Sequence, residues 1–333
     1  MDKKIDHLLT NILLQTDNFF VELKVEKNID IKGKEGKLIS KAISDVVREF
    51  EYRDRIIGLK KLRIFVTKTP VKTCEKIILP NVKLKIHGEM REWICQNTPS
   101  FSYWAKGQTP TIMLDANQEI FETKNYDAIK GLFAHELMHL LNKIDGIEKE
   151  LEIEAEKSTR NIISLLTKHK EVKPFTKDRL LVSLLRVITT TTFAIKDILA
   201  NTRAMSFGFD GEIYANYMTS LAGVKKIIGF NDGEILRALK RDKKHALDNA
   251  FLTYLGLNVS WVTFKMFHNQ WYKKLQNLSN IKVPRIIKKN ADTILNELLK
   301  LRSASDKEQI GKILKLTQQN YFNVVKYYCK KLR

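Results

Sequence analysis

The sequence predicts an α+β domain in residues 1–170, followed by a mostly α-helical domain in residues 171–333. Three observations support this division. Short runs rich in Ile, Leu and Val precede residue 115 and are typical of strands. A strongly apolar helical segment follows them. From residue 176 onward the chain has helix start and stop signals but no strand-like run, and the polar, proline-bearing segment 168–174 separates the two parts.

The elements of the first part are predicted in chain order. A mixed, mainly helical start is expected at residues 1–50, and a strand at 62–66. A β-prone run at 76–86, broken by Pro80, and a polar and aromatic loop at 97–110 are followed by a second strand at 111–114. Pro110 lies at the mouth of the last strand, where a missing N–H does least harm.

Two helices are predicted next. The first runs from about residue 125 to 142, with Asn125 as its cap and Asp127 in its first turn, where an acid is favoured. Its apolar residues cover most of the circumference, which predicts a buried helix. Asp145-Gly146 marks a tight turn, and a second helix follows over residues 147–168.

The chain is strongly basic, with a net charge of +20 and a pI near 9.6 over 333 residues. Such a balance favours contact with polyanions, nucleic acid among them. The alternative is a basic surface without a partner, since the lysines are spread along the chain and no nucleic-acid motif accompanies them.

The cysteines are few and far apart, at Cys74, Cys95 and Cys329, which indicates neither a disulfide framework nor a thiolate zinc site. A reducing, cytoplasmic setting fits this pattern. The amino terminus lacks the apolar run of a signal peptide. The apolar stretches 180–199 and 251–267 are interrupted by charges, so we expect buried helices there and no transmembrane segment.

Two histidines stand four residues apart in the segment His135-Glu136-Leu137-Met138-His139. Residues i and i+4 of an α-helix lie on one face, so both imidazoles can bind the same cation. Zinc (Zn2+) accepts such ligands and lowers the pKa of its bound water toward neutrality. Glu136 is then suited to take a proton from that water. The motif therefore predicts a zinc site with Glu136 as catalytic base.

A catalytic zinc takes three protein ligands, and the turn at Asp145-Gly146 suggests the third. If the two helices are antiparallel across this turn, residues equidistant from it lie level with each other. Glu152 is then level with His139 and is the predicted third ligand. Glu156 is level with His135 and is predicted to accept an imidazole N–H.

Other interpretations of these residues stay open. Asp145 follows His139 by six residues, as in the metzincin-type pattern His-Glu-x-x-His-x-x-Gly-x-x-His/Asp, although Asn142 stands at the glycine position. The histidines would alternatively be core residues hydrogen-bonded to their neighbours. The acidic run after residue 147 would alternatively be a solvated helix face, and this is the expectation for Glu148 and Glu150.

The chain resembles the gluzincin class of zinc peptidases over residues 60–165. In that class the His-Glu-x-x-His motif is followed by a helix bearing Glu-x-x-Ala-Asp or a close relative. The corresponding segment here is Glu152-Ile153-Glu154-Ala155-Glu156. The most similar patterns are those of the HtpX-type peptidases and of the soluble minigluzincins, including the ImmA/IrrE-type proteases.

This resemblance implies a zincin-like fold for the first domain, with zinc bound by His135, His139 and Glu152 and with Glu136 as the base. It also implies that the strand at residues 111–114 lines the cleft and pairs with an extended substrate. The chain departs from the class in its Glu156, where Asp is usual, and in the short spacing to Glu152. The membrane helices of the HtpX type are missing, which favours the soluble relatives.

The sequence therefore predicts a cytoplasmic zinc endopeptidase, a hydrolase that acts on peptides or proteins. Candidate donors to the oxyanion are His245, Arg203, Tyr214 and Tyr217. The alternative is a non-catalytic zincin-like module that binds nucleic acid or another polyanion through its basic surface. Basic segments at residues 240–245 and 330–333 are candidates for that contact. The predicted helical second domain has no assigned role.

Overall fold

The structure, a computed structural model, describes residues 9–15, 20–26, 29–30, 32–52, 59–73, 100–104, 107, 109–167, 175–224, 229–241, 245–267, 269–301 and 306–332. The strands are β1 (Leu9–Gln15), β2 (Phe20–Glu26), β3 (Lys61–Thr67), β4 (Ser100–Tyr103) and β5 (Thr111–Asp115). The helices are α1 (Lys34–Tyr52), α2 (Pro70–Thr73), α3 (Glu119–Glu122), α4 (Tyr126–Ile144), α5 (Lys149–Thr167), α6 (Lys177–Ser206), α7 (Asp210–Val224), α8 (Asp232–Lys240), α9 (Ala246–Phe267), α10 (Asn269–Ser279), α11 (Arg285–Leu298) and α12 (Lys307–Leu332).

The chain forms two compact units, each assembled from two segments. The first comprises Met1–Asp145 and Arg203–Ser220, and the second comprises Gly146–Thr202 and Leu221–Arg333. All the strands that the structure describes belong to the first unit, and helices predominate among the described residues. The prediction of an α+β chain with a small sheet and a helical remainder is confirmed at this level. The predicted domain boundary at residue 170 stays a prediction.

The first unit is built on a five-stranded sheet in the order β1-β2-β3-β5-β4. Strands β2, β3 and β5 are parallel, and their register pairs Leu23 with Ile64 and Ile64 with Ile112. Strands β1 and β4 run antiparallel to their neighbours β2 and β5. Helix α1 connects the parallel strands β2 and β3, as a parallel crossover requires.

The amino-terminal part of this sheet corrects a prediction. Residues 1–50 were expected to be mainly helical, but β1 and β2 pair antiparallel within them. In β2, Val21, Leu23 and Val25 are buried. Glu22, on the alternate face, lies 3.0 Å from the guanidinium Nε of Arg63 on β3. Buried apolar residues that alternate with charged residues at a period of two are typical of a strand. This alternation outweighs the low intrinsic preference of the charged residues for strands.

The strands predicted at 62–66 and 111–114 are confirmed as β3 and β5. The loop expected over residues 97–110 is wrong at Ser100–Tyr103, which form β4. The β-prone run at 76–86 lies outside the described residues. Strand β5 pairs with β3 on one side and β4 on the other, so it has no free edge for a substrate.

Helix α4 follows the sheet and matches the predicted buried helix. Its cap is Asn125, whose side chain accepts a hydrogen bond from the Ala128 amide at 3.3 Å. Helix α1 and strand β4 both pack against it. A Cβ added at Gly131 would lie 2.0 Å from the carbonyl oxygen of Glu212 on α7. Only glycine permits this close approach of the two helices.

The second unit is helical throughout its described residues. Helix α5 packs on α12, and α9 contacts α8, α10 and α11. The fully buried Asp248 on α9 accepts hydrogen bonds from Ser183 at 3.0 Å, from Arg186 at 3.2 Å and from the hydroxyl of Tyr321. These donors compensate the cost of burying the carboxylate.

The stretches 180–199 and 251–267 fall within α6 and α9. As expected, neither they nor any other helix of the described residues is long and apolar enough to cross a membrane.

Candidate metal centre

Helix α4 leaves two side chains partly exposed in an otherwise buried segment. Thirteen of the residues from Ala128 to Asn142 are buried, and the two exceptions are His135 and His139. Burial of most of the helix surface explains why apolar residues occupy nearly every side of it. The two imidazoles are therefore the groups in this stretch that solvent or a ligand can reach.

The two rings converge through their Nε2 atoms, which lie 3.0 Å apart. Their planes are nearly perpendicular, at 89°. Two imidazoles on a tetrahedral zinc, each at 2.0–2.1 Å, would have nitrogens about 3.3 Å apart, so the rings would have to separate by about 0.3 Å to share an ion. The observed distance is that of a hydrogen bond between the rings, the alternative raised by the sequence, and a measurement of zinc content distinguishes the two arrangements.

Glu136 points into the protein beside strand β4. It is 5% exposed, and the hydroxyl of Ser100 donates a hydrogen bond to its Oε1. A buried carboxylate is costly without such a donor. The side chain predicted to be the base is therefore held against the edge of the sheet.

Asp145, the alternative third ligand, is engaged elsewhere in the first unit. The guanidinium of Arg203 donates to Asp145 Oδ2 at 2.6 Å and to Asn142 Oδ1 at 2.9 Å. Asp145 is also the cap at the carboxyl end of α4, where its amide bonds the Leu141 carbonyl at 2.9 Å. This arrangement gives Asp145 a structural partner, and it gives Arg203, one of the candidate oxyanion donors, a role at the end of the helix.

Glu152 lies on α5 in the second unit and pairs with Lys196 of α6. Lys196 Nζ is 3.2 Å from Glu152 Oε1 and 2.6 Å from Glu148 Oε2. Glu148 was expected to be solvated, but its side chain is 5% exposed, so that expectation is wrong. Burial acts to lower the pKa of Lys196, and the two carboxylates outweigh it and raise that pKa. An ammonium beside Glu152 competes with a metal for its oxygen.

Glu156 and Glu150 lie further along α5. Glu156 is 65% exposed and pairs with Arg160 of the same helix at 2.5 Å. Glu150 pairs with Lys307 of α12 at 3.0 Å. The role predicted for Glu156, as acceptor of an imidazole N–H, stays a prediction.

Two polar residues, Ser100 and Asp197, had no predicted role. Ser100 lies in a segment predicted as loop, and nothing in its neighbourhood indicated a strand edge beside Glu136. Asp197 follows Lys196 on α6, is partly exposed, and offers a carboxylate oxygen of the kind that ligates metals. A carboxylate on a largely buried helix was the signal available for it.

The other predicted donors to the oxyanion are Tyr214, Tyr217 and His245. Tyr214 and Tyr217 lie on α7, and both are partly exposed. His245 is 48% exposed, and its Nδ1 lies 3.3 Å from the buried Asp248 in the second unit. That contact gives His245 a structural partner.

Comparison with known proteins adds no relative. No protein-family model, no curated protein and no solved structure matches the chain.

Proposed function

We propose that this protein is a zinc-dependent endopeptidase. The observation that supports it best is the surface of α4 between residues 128 and 142. The helix buries thirteen residues there and leaves partly exposed two imidazoles whose Nε2 atoms are 3.0 Å apart. The carboxylate of Glu136 lies in the same helical turn. These groups would supply two of the three protein ligands of a catalytic zinc, and the base, for metal-assisted peptide hydrolysis.

The proposed zinc ligands are His135, His139 and one carboxylate. Glu152 is the first choice, because the gluzincin resemblance and the position of the turn at residues 145–146 both favour it. Asp197, next to the Lys196 that pairs with Glu152, is the alternative carboxylate. Asp145 is disfavoured because Arg203 holds its Oδ2 at 2.6 Å, a closer pairing than the 3.2 Å between Lys196 and Glu152.

In the proposed peptide hydrolysis, the zinc ion and the side chains of the protein have different roles. Zinc, when bound, would polarise a peptide carbonyl and acidify a water molecule. Glu136 accepts the proton that this water loses and passes it to the amine that leaves. The Ser100 hydroxyl holds the Glu136 carboxylate in one orientation through its hydrogen bond.

The proposed substrate is an extended peptide segment. Among the strands that the structure describes, β4 has a neighbour on one side only, whereas β5 is paired on both. An extended chain can add to an open strand edge through backbone hydrogen bonds. The strand proposed to line the cleft is therefore β4, in place of the 111–114 strand that the sequence predicted.

A zincin-like fold and a cytoplasmic location belong to the same proposal. The sheet with its antiparallel edge strand, followed by the helix of the histidines, supports the fold. The sparse cysteines support the location.

The experiment compares zinc-loaded wild type with Glu136→Gln on unfolded casein, following the release of new amino termini. The proposal predicts a loss of at least about 100-fold in rate with zinc content unchanged, because the base is removed and the imidazoles are kept. Glu122→Gln, an exposed change on α3, is the matched control and should keep full activity. Full zinc-dependent proteolysis by Glu136→Gln would refute the proposal.

A further inference from the structure

The positive charge of this protein is concentrated in its carboxyl-terminal third. Residues 221–333 hold 23 Lys and Arg against 8 Asp and Glu, which gives +15 of the total of +20. Within this part, residues 249–291 hold seven Lys and Arg and no Asp or Glu. Acids are therefore sparse beside these cations along the chain, and the first one after the stretch, Asp292, accepts a hydrogen bond from the Tyr254 hydroxyl at 2.9 Å.

The helices α10 and α11 of this stretch each present a basic stripe to solvent. The exposed residues of α10 are Gln270, Lys273, Lys274 and Asn277, and those of α11 are Arg285, Lys288, Lys289, Thr293 and Asn296. Their spacings of three and four residues place each set on one side of its helix. Both helices pack on α9 through their other sides.

The connection between the two helices adds a further cation. Lys282 is exposed, and its backbone is fixed because its carbonyl accepts a hydrogen bond from the Phe230 amide at 2.7 Å. These exposed cations lie within 17 consecutive positions of the chain, and we name them together the basic face: Lys273, Lys274, Lys282, Arg285, Lys288 and Lys289.

The cations of the basic face differ from other lysines of the same unit in their ion pairing with carboxylates. Lys307 pairs with Glu150, Lys312 with Glu297, and Lys331 with Asp232, at 2.9–3.2 Å. None of the six residues of the basic face forms an ion pair with a carboxylate of the described chain. A surface that is basic only for solubility has no need to keep its cations apart from acids in this way.

We propose that the basic face binds the phosphate backbone of duplex nucleic acid, independently of base sequence. Lysine and arginine contact phosphates as charges, and the Gln, Asn and Thr side chains of the two stripes can donate hydrogen bonds to phosphate oxygens. The aromatic residues of α10, Trp271 and Tyr272, are half-buried and lie against Phe264 and Trp261 of α9. No fully exposed ring of the two stripes is available to stack on an unpaired base, which favours a duplex over a single strand.

The composition of the stripes also argues against two other partners. A helix that lies on a membrane surface presents Trp, Phe or Leu beside its cations, and no large apolar side chain is exposed on α10 or α11. A protein partner is usually bound through aromatic and arginine anchors, and the stripes hold a single arginine.

The test measures binding of the full chain to a fluorescent 20-base-pair DNA duplex by anisotropy at several KCl concentrations. Six phosphate contacts predict that log K falls with log salt concentration with a slope of about −5. The triple variant Arg285→Gln, Lys288→Gln, Lys289→Gln should bind at least about tenfold more weakly and lower the magnitude of the slope by 2 to 3, roughly 0.9 for each contact removed.

The matched control removes the same charge from exposed lysines of the first unit, as Lys32→Gln, Lys34→Gln, Lys37→Gln. The proposal requires that the control keep the wild-type slope to within about one unit. An equal loss in both triple variants would overturn it, because the effect would then come from net charge alone. Tighter binding to a single strand of the same length, or binding to anionic phosphatidylserine vesicles but not to the duplex, would also overturn it.

Discussion

The hydroxyl of Ser100 donates a hydrogen bond to Oε1 of Glu136, which joins the edge strand β4 to the helix of the histidines. Packing between β4 and α4 brings the two residues together. The proposed base and the strand proposed to receive the substrate are thus linked by one bond. A substrate strand added to β4 would lie close to the carboxylate that must accept the proton.

Ser100→Ala is expected to lower kcat about tenfold and to leave KM and zinc content unchanged. A hydrogen bond to a charged group contributes about 1.5–3 kcal/mol, and its loss frees the carboxylate to leave its reactive orientation. Steady-state kinetics on a quenched fluorescent peptide, with zinc measured in parallel, checks this expectation.

Ser100→Thr is the control, since it keeps the hydroxyl and should restore most of the rate. An alanine variant whose KM rises while kcat stays constant would place Ser100 in substrate binding and would contradict its role in holding Glu136.

Gly131→Ala is expected to destabilise the protein by at least about 3 kcal/mol. The added Cβ would lie 2.0 Å from the carbonyl oxygen of Glu212, and a backbone atom of a packed helix cannot move away at low cost. Urea unfolding followed by circular dichroism measures the change.

Gly256→Ala is the matched change in an open position of helix α9, where a Cβ meets nothing within 4 Å. It should stabilise by about 0.5–1 kcal/mol, because alanine is the better helix former. Equal effects of the two alanines would contradict the close approach of α4 and α7.

Lys196→Met is expected to cost about 3 kcal/mol of unfolding free energy at pH 7. It would leave Glu148, 5% exposed, without the ammonium that lies 2.6 Å away. Glu152→Gln removes the other partner of Lys196. Because Glu152 is 54% exposed, its loss should cost less than about 1 kcal/mol in the metal-free protein, in which both variants are compared.

The difference between wild type and Lys196→Met should also depend on pH. The pKa of Lys196 is raised in the folded state above its ordinary value of 10.5. Its pairing therefore stabilises the protein fully below pH 10.5, and this contribution is lost as the pH rises through the higher folded-state pKa. We expect a constant difference from pH 7 to 9 and a shrinking one above pH 10.5, measured by urea unfolding at each pH. A difference that grows with pH would contradict the raised pKa.

The histidine helix could be predicted from the sequence because its signals are local. The cap at Asn125, the apolar periodicity and the turn after residue 144 all act within a few residues. The convergence of His135 and His139 follows from helical geometry alone. The strands β3 and β5 were predictable for the same reason, since each is a compact apolar run.

The parts that could not be predicted depend on contacts between distant residues. Strand β4 is four residues long and owes its state to pairing with β5, as Ser100 does with Leu114. The burial of Glu148 depends on Lys196, 48 positions away in the sequence. An acidic helix gives no local indication of which of its carboxylates will meet a cation from another helix.

Zinc content by elemental analysis, after reconstitution and removal of loosely bound metal, is the decisive test of the proposed metal site. About one zinc per wild-type chain is expected, lost in His135→Ala and His139→Ala and kept in Asp145→Ala. Loss in Glu152→Ala or in Asp197→Ala identifies the third ligand. Wild-type protein that binds no zinc would contradict the account and leave the two histidines as a hydrogen-bonded pair on α4.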